Sequence, residues 1–278
     1  FLNNFAKLKR KNCNAKILAI TGSNGKTSLK NTISFLLKKY EKTHCSPRSF
    51  NNQYGVPLSL SNLDVDDKYG VFEVGMSKAG EINKLSKIIK PDLAIITNIG
   101  EAHIENFKNL KGIAKAKSEI LNSIQKNGKV ILNRDDKFFS FLSKKAKLKN
   151  IKVITFGKSK KSDVHLVKTK YIGDNKIVFI SAKNQIIKLS INNINIYNVL
   201  SSIAVLKEFN LDLNKVTQDF KSIQPSEGRG KIYKINRYKK KFTLIDESYN
   251  ANPFSVKNAL NNFSEIKKDK FKKYLLLG

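Results

Sequence analysis

The sequence predicts an α/β protein built on a mostly parallel sheet, with a few antiparallel strands at one edge. Three observations support this fold class. Short apolar runs of strand length alternate with segments whose apolar residues recur at helical spacing. Shorter runs of alternating character occupy residues 164–191, as expected for antiparallel strands. A break rich in turn formers at 225–230 is followed by a strand and a helix pattern, which predicts the start of a second α/β unit.

The first strand is predicted at 16–21, where an apolar run ends at Gly22. A helix follows over 27–40, because Leu29, Ile33 and Leu36 fall on one helical face. The alternation then continues, which favours a parallel sheet covered on both faces. The further strands are predicted at 69–74, 92–97, 129–132 and 152–156, and the further helices at 81–89 and 110–125.

Beyond the antiparallel edge, helices are predicted at 196–209 and 213–223. We place a domain boundary at the turn-rich break, so that the domains span 1–226 and 227–278. The second domain is predicted to begin with a strand at 242–246, a helix at 253–263 and a strand at 274–277. Because the chain does not start with Met and this last strand is cut off at its first turn, we expect a piece of a longer protein.

Composition excludes several classes of protein. No run of about 18 apolar residues is present, so no membrane span is expected. Cys13 and Cys45 are too few for a disulfide framework or a cysteine metal cluster, which favours reduced thiols in the cytoplasm. The net charge is +31, but only five of the basic residues are Arg, and Lys is spread along the whole chain. We therefore expect no nucleic-acid partner, although the field would attract anionic nucleotides.

The segment between the first strand and its helix has the composition of a phosphate-binding loop. It is a shortened variant of the P-loop pattern, since position 20, where that pattern has its first Gly, is Ile. Backbone N–H groups of such a loop and the helix N-terminus can hold an anion, and Lys26 can reach the β- and γ-phosphates of ATP. The Thr27 hydroxyl can bind Mg²⁺. The alternative is an ordinary turn that contains Gly. The candidate ATP-binding residues are Gly22, Ser23, Asn24, Gly25, Lys26, Thr27 and Ser28.

Two further polar residues are predicted at the carboxyl ends of strands, where open α/β sheets bind ligands. Glu73 could hold Mg²⁺ beside the phosphates, or it could be a surface residue at a strand end. His103 could help bind a second metal ion, although a lone His is more often structural. Asp246 ends a strand of the second unit and could reach a nucleotide, whereas Ser248 or Asn252 could cap or turn the chain.

The helix predicted around 113–120 carries Lys115, Lys117 and Glu119. Spacing alone predicts that these three side chains form a solvated face, and nothing intrinsic distinguishes Lys117.

Taken together, these stretches resemble the Mur ligase family of peptidoglycan synthesis. Within it, the double Asn at 51–52 followed by Gly-x-Pro and the Tyr-Asn-Ala-Asn-Pro stretch at 249–253 are similar to the branch that joins D-alanyl-D-alanine to UDP-N-acetylmuramoyl-tripeptide. The resemblance spans nearly the whole chain. The matching stretches are 21–28, 51–57, 73–76 with 80–82, 98–105, 113–120, 228–229 and 246–253.

The resemblance implies roles for individual residues. Lys26, Glu73, His103 and Lys117 would be catalytic, with Thr27 and Glu73 at one Mg²⁺ and Glu73 and His103 near a second. Lys117 would be carbamylated by CO₂, which reverses the interpretation from spacing. The other implied ATP-binding residues are Asn195, Asn198, Arg229 and Asp246, and the implied substrate-binding residues are Asn51, Asn52, Tyr249 and Asn252.

The resemblance also implies a P-loop ATPase-like central domain followed by the start of a Rossmann-like C-terminal domain. The family's N-terminal domain, which holds the UDP-sugar, would be absent here. The sequence departs from the family pattern at the adenine-side motif, which is usually Gly-x-His-Asn. Residues 192–195 lack both the Gly and the His of this motif.

The activity implied is an ATP-dependent amide ligase that works through an acyl phosphate, as a cytoplasmic monomer with no membrane partner. The alternatives are a related amide ligase of the folylpolyglutamate or cyanophycin synthetase type, a nucleotide-binding module without catalysis, and a nucleic-acid-binding ATPase.

Overall fold

The structure is a computed structural model of the 278-residue chain. It describes residues 1–172, 175–183, 185–192, 194–249, 251, 253–265 and 272–277. The chain divides into two compact units, Phe1–Pro225 and Ser226–Gly278. The assignment of domains made from the sequence stays a prediction, and each unit is described by itself below.

The first unit is built on one nine-stranded sheet in the order β2-β3-β1-β4-β5-β6-β7-β8-β9. Neighbours from β2 to β7 run parallel, and β7, β8 and β9 pair antiparallel at one edge. The predicted fold class, a mostly parallel α/β sheet with antiparallel edge strands, is thereby confirmed. The strands are β1 Lys16–Thr21, β2 Thr43–Cys45, β3 Tyr69–Glu73, β4 Leu93–Ile96, β5 Lys129–Asn133, β6 Lys152–Gly157, β7 Val164–Ile172, β8 Asn175–Ala182 and β9 Gln185–Ile191.

Helices cover both faces of this sheet. Successive side chains of β1 point to opposite faces, so Leu18 and Ile20 enter one apolar core while Ile17 and Ala19 enter the other. Strands buried on both faces have continuous apolar sequences, which is why β1 has no polar residue between Lys16 and Thr21. The helices of this unit are α1 Leu2–Asn12, α2 Lys26–Leu37, α3 Gly55–Ser61, α4 Glu81–Ile89, α5 Leu110–Lys117, α6 Phe139–Lys147 and α7 Ile196–Glu208. None of the described helices has the length and apolarity needed to cross a bilayer.

The second unit contains an antiparallel hairpin, β10 Lys231–Arg237 and β11 Lys240–Asp246, followed by α8 Pro253–Glu265. Tyr238 and Lys239, which join the two strands, both have left-handed φ values, of 50° and 59°. Two consecutive left-handed residues are typical of the tight turns that match the twist of a hairpin.

Three predicted elements were wrong. The helix predicted at 110–125 ends at Lys117, and a 3₁₀ segment, Ser118–Ser123, replaces its second half. The helix predicted at 213–223 consists of two 3₁₀ segments, Leu213–Val216 and Asp219–Ser222. Apolar spacing identified the buried face there, but spacing does not distinguish i→i+3 from i→i+4 hydrogen bonding. Residues 274–277 form no strand within the described part of the second unit.

Sequence periodicity also missed β2, β10 and the helices α1, α3 and α6. Two of these elements, β2 and α3, span only three and seven residues, too few to establish a period.

Candidate active site

The polar residues of the site meet where β1, β3 and β4 end. These three strands are parallel neighbours, with Ile20 opposite Glu73 and Thr21 opposite Ile96. Because the carboxyl ends of parallel strands lie along one edge, the segments that follow them emerge side by side. The phosphate loop (22–27) therefore lies between the end of β3 and the segment that follows β4.

The phosphate loop is fixed to that segment by several hydrogen bonds. The Ser23 N–H donates to the Asn98 carbonyl at 2.9 Å, and the Asn24 N–H donates to Asn98 Oδ1 at 3.0 Å. The Thr97 hydroxyl donates to the Asn24 carbonyl at 2.7 Å. Gly22, with φ of 145°, lies so close to Thr97 that a Cβ there would stand 1.9 Å from the Thr97 Oγ1. Only glycine allows this approach, so the backbone shape of the loop is set before any ligand binds.

Helix α2 begins at the end of the phosphate loop. Gly25 is its N-cap residue, with a left-handed φ of 80° and no side-chain capping hydrogen bond. An uncapped helix N-terminus directs backbone N–H groups and the positive end of the helix dipole toward the loop. The Lys26 Nζ donates to the carbonyls of Gly22 at 3.0 Å and Ser23 at 3.4 Å, so the amino group lies over the same loop. Ser28 lies half-buried in the first turn of the helix. These groups together suit a polyphosphate.

A buried carboxylate lies next to the first turn of α2. The Glu73 side chain at the end of β3 is 1% exposed, and each of its oxygens accepts one hydrogen bond. The Thr27 hydroxyl donates to Oε2 at 2.7 Å, and the Asn51 Nδ2 donates to Oε1 at 2.7 Å. A hydroxyl and a carboxylate are the hard oxygen ligands that Mg²⁺ prefers, and magnesium sites of nucleotide-binding proteins use one or two carboxylates beside the phosphates. The donor set formed by Thr27 and Glu73 therefore fits Mg²⁺.

Lys117 is another buried ionisable group of this unit. It lies in the last turn of α5 and is 2% exposed, so the solvated face predicted from spacing was wrong for this residue. Burial lowers the pKa of the Lys117 amino group well below its usual value, and the positive charge of Lys26 lowers it further. A lowered pKa favours the neutral, nucleophilic form of an amine.

Glu119 is not part of a solvated face either. Its two carboxylate oxygens accept hydrogen bonds from the N–H groups of Gly80 at 2.8 Å and Asn83 at 3.1 Å, at the start of α4. A carboxylate at this position satisfies helix N–H groups and interacts favourably with the helix dipole. Of the three residues on the predicted face, only Lys115 is exposed.

His103 lies in the segment after β4, at the same edge of the sheet. Its backbone is left-handed, with φ of 60°, and its half-exposed side chain has Nδ1 3.7 Å from the Glu105 Oε1. Within the described residues, no three His, Cys, Asp or Glu side chains form a group that could hold a metal ion. The second metal site expected at Glu73 and His103 therefore stays a prediction.

The residues predicted on the adenine side occupy the start of α7. The Asn195 side chain accepts a hydrogen bond from the Tyr197 N–H at 2.8 Å and so caps this helix. Asn198 is 9% exposed, and its Oδ1 lies 3.5 Å from the point where a Cβ on Gly25 would stand. The structure thus brings Asn198 to the phosphate loop and gives Asn195 a capping role.

The predicted substrate-binding residues of the first unit occupy the segment between β2 and α3. The Asn51 side chain lies on Glu73, as described above. The Asn52 Oδ1 accepts hydrogen bonds from the N–H groups of Tyr54 at 3.1 Å and Gly55 at 2.9 Å, and so shapes the start of α3.

The second unit contains the remaining predicted site residues. The Arg229 guanidinium lies over the Tyr249 ring, 4.1 Å from its centroid. Asp246 accepts hydrogen bonds from the Ser248 hydroxyl and N–H and from the Gly228 N–H, which lower the pKa of its carboxyl group. Asn252 lies outside the described residues.

Sequence reasoning missed two residues that build the site. Lys30 is fully buried and binds the segment before Asn51. Asp136 accepts a hydrogen bond from the Ile99 N–H at 2.8 Å and so supports the segment after β4. A lysine four positions after Lys26, on the buried side of a helix, was the available signal for Lys30. Asp136 had no such signal, because its partner is distant in sequence.

Comparison with known proteins identifies the family. The model of the Mur ligase middle domain matches residues 20–206. The chain belongs to the Mur ligase family. The matched range contains the phosphate loop, Glu73, Lys117 and Asn198, so these residues lie in the Mur ligase middle domain.

Individual relatives agree with this assignment. A UDP-N-acetylmuramoyl-tripeptide–D-alanyl-D-alanine ligase of Rickettsia prowazekii is 34% identical over 275 residues, which are 96% of this chain and 60% of that protein. The MurF crystal structure from Acinetobacter baumannii superposes with a TM-score of 0.88 at 27% identity, covering 96% of this chain and 58% of that one. MurF ligase from Thermotoga maritima, solved in complex with ADP, gives a TM-score of 0.81 at 25% identity, covering 95% and 61%. The chain thus spans about 60% of the length of these Mur ligases.

Proposed function

We propose that this protein is an ATP-dependent Mur ligase that joins D-alanyl-D-alanine to UDP-N-acetylmuramoyl-tripeptide in the cytoplasm, in peptidoglycan precursor synthesis. The observation that carries the proposal is the buried Thr27–Glu73–Asn51 cluster beside the phosphate loop of a Mur ligase middle domain. The names of the relatives supply the substrates, and the ADP complex of the Thermotoga relative supplies the nucleotide.

The proposed reaction has two steps. The terminal carboxylate of the tripeptide attacks the γ-phosphorus of ATP, the bond to the bridging oxygen breaks, and an acyl phosphate and ADP form. The amine of D-alanyl-D-alanine then attacks the acyl carbon, loses a proton, and expels inorganic phosphate to leave the amide. Phosphorylation is needed because a carboxylate oxygen is a poor leaving group.

Residues of the phosphate loop would counter the repulsion between the two anions. The Lys26 amino group, which now donates to loop carbonyls, would turn to the β- and γ-phosphates, and the N-terminus of α2 would add its dipole. Thr27 and Glu73 would hold Mg²⁺, with Asn51 orienting the carboxylate. Bound Mg²⁺ supplies neutralisation of charge on the phosphate oxygens.

Lys117 is proposed to carry a carbamate. The neutral amine would attack the carbon of CO₂, forming an N–C bond as one C=O π bond opens and one N–H proton leaves, which converts the neutral amine into an anion; starting from the ammonium form, two protons are released. The lowered pKa of Lys117 and the nearby Lys26 favour this conversion, because the product pairs with Lys26 instead of repelling it. Together with Glu73 and His103, this anion would serve a second Mg²⁺.

The remaining roles come from the resemblance. Asn195, Asn198, Arg229 and Asp246 are proposed ATP contacts, and Asn51, Asn52, Tyr249 and Asn252 are proposed substrate contacts. A monomer with no nucleic-acid or membrane partner is proposed on the same basis.

Phosphate release by the full-length protein tests the proposal. Release from ATP should require both UDP-N-acetylmuramoyl-tripeptide and D-alanyl-D-alanine, and Lys26→Ala should lower it about a hundredfold or more. Lys38→Ala, at an exposed position next to the end of α2, is the matched control and should retain activity. Full activity of Lys26→Ala would refute this function, and release that depends on DNA or RNA would favour a nucleic-acid-binding ATPase.

A further inference from the structure

Lys30 is a buried lysine in the wall of the candidate active site. It lies on α2, four residues after Lys26 and three after Thr27, so the three side chains share one side of the helix. Its side chain is 0% exposed. Burying an amino group is costly unless its hydrogen-bonding capacity is used, and a methionine or leucine would fill the same space without that cost. The partners of the amino group therefore show what the lysine does.

Two of those partners are main-chain carbonyls of one segment. The Lys30 Nζ donates to the Ser46 carbonyl at 2.5 Å and also to the Arg48 carbonyl. Arg48 has a left-handed backbone, with φ of 43°. A left-handed residue other than glycine is held in place only by its surroundings, and here the amino group binds its carbonyl directly.

The same segment leads to Glu73 at both of its ends. At its start, the Ser46 Oγ accepts a hydrogen bond from the Glu73 N–H at 3.2 Å. At its end, the Asn51 side chain donates to the Glu73 carboxylate at 2.7 Å, and the Asn51 carbonyl accepts from the Gly75 N–H at 2.7 Å. Lys30 thus holds the middle of a short segment whose last residue orients the carboxylate.

We propose that Lys30 is a positioning residue that fixes segment 46–51 so that Asn51 holds the Glu73 carboxylate toward Thr27 and a bound Mg²⁺. The inference deepens the proposed function and rests on it. Lys30 touches neither nucleotide nor metal in this scheme. Its effect passes through the backbone of Ser46 and Arg48 to the Asn51 amide.

The effect of Lys30 should appear in the metal dependence of nucleotide binding. Lys30→Met keeps an unbranched side chain that is one atom shorter and removes the donors. In the full-length protein, the Mg²⁺ concentration that half-saturates ADP binding should rise tenfold or more, whereas ADP binding in EDTA should change less than twofold, because the phosphate loop and Lys26 remain. Lys38→Met, at an exposed position next to the end of the same helix, should change neither.

Two further measurements separate positioning from a general packing defect. Hydrogen exchange of residues 46–54 should accelerate in metal-free Lys30→Met, while exchange in β5 and β6 stays as in the parent. In a double-mutant cycle on Mg²⁺-dependent ADP affinity, Asn51→Ala and Lys30→Met should be less than additive, because both act through one hydrogen bond to Glu73. Lys30→Gln, which retains an N–H donor, should restore part of the affinity.

Each outcome supports or refutes either the proposed function or the positioning role of Lys30. A parent protein that binds no ADP in a Mg²⁺-dependent way would refute the proposed function itself. If the parent binds and Lys30→Met loses EDTA and Mg²⁺ affinity equally, loses neither, or is additive with Asn51→Ala, only the positioning role fails. Failure of both Lys30→Met and Lys30→Gln to fold would assign the lysine to core stability and would likewise overturn the proposal.

Discussion

The hydrogen bond between Thr27 and Glu73 offers a direct measure of how the site is held together. Thr27→Val keeps the shape of the side chain and removes the hydroxyl that donates to Oε2 at 2.7 Å. The two side chains are 6% and 1% exposed, so water cannot replace the lost donor. A hydrogen bond to a charged group contributes about 1.5–3 kcal/mol, and an unsatisfied buried acceptor costs a similar amount. We expect the free energy of unfolding to fall by about 2 kcal/mol.

Urea unfolding without nucleotide measures this change. With a slope of about 2 kcal/mol per M, the midpoint should fall by about 1 M. Thr32→Val, the same exchange at a buried position further along α2, is the control and should change the free energy of unfolding by less than about 1 kcal/mol. Mg²⁺-dependent ADP binding should weaken at least tenfold in Thr27→Val only. Equal urea midpoints for the two variants would refute the idea that this bond holds Glu73 in place.

Two further changes test other parts of the site. Gly22→Ala should destabilise the fold by about 2–6 kcal/mol in urea unfolding, because the added Cβ overlaps Thr97 and the backbone φ of 145° is strained for alanine. Gly80→Ala also has a positive φ, of 87°, but nothing lies within 4 Å of its added Cβ, so it should cost only the backbone part. Equal losses would contradict the close approach of Gly22 to Thr97. Lys117→Met should raise stability in CO₂-free buffer. Because folding lowers the Lys117 pKa, the unfolded chain binds more protons than the folded chain below the usual lysine pKa of about 10.4, so the gain should shrink as the pH rises from neutral toward that value. A gain independent of pH would contradict a buried Lys117 amine. Added bicarbonate should stabilise the parent and leave Lys117→Met unchanged.

Much of the sheet follows from local sequence. The strands β1, β3, β4, β5 and β6 lie within a residue or two of their predicted positions, because strands buried on both faces are continuous apolar runs. Helix α4 begins and ends where predicted, with Pro91 shortly beyond its end. The missed strands lack such a run. None of the residues of the hairpin strand β10 is fully buried, and within the described residues this strand pairs with β11, the next strand along the chain.

Local sequence predicted the individual residues of the candidate site that follow strand ends. The phosphate loop and Glu73 each follow a recognisable strand, and parallel topology brings strand ends together. Local sequence does not predict which distant residue forms a hydrogen bond with each of them. Asn51 reaches Glu73 across 22 positions, and Thr97 reaches the phosphate loop across 73. Such pairs depend on the order of strands in the sheet, in which β3 and β4 flank β1.

Lys117 shows why charge alone is a poor guide to exposure. Its neighbours Ile113, Ala114 and Ala116 are buried, so the packed surface of α5 is wide enough to enclose the lysine as well. A lysine is normally kept out of such a surface by the cost of burying its charge. Here a neutral amine would avoid that cost. An amine converted to an anion would instead be attracted by the positive charge of Lys26. The charge of Lys26 therefore disfavours a second cation at Lys117 and would favour the carbamate proposed for it above.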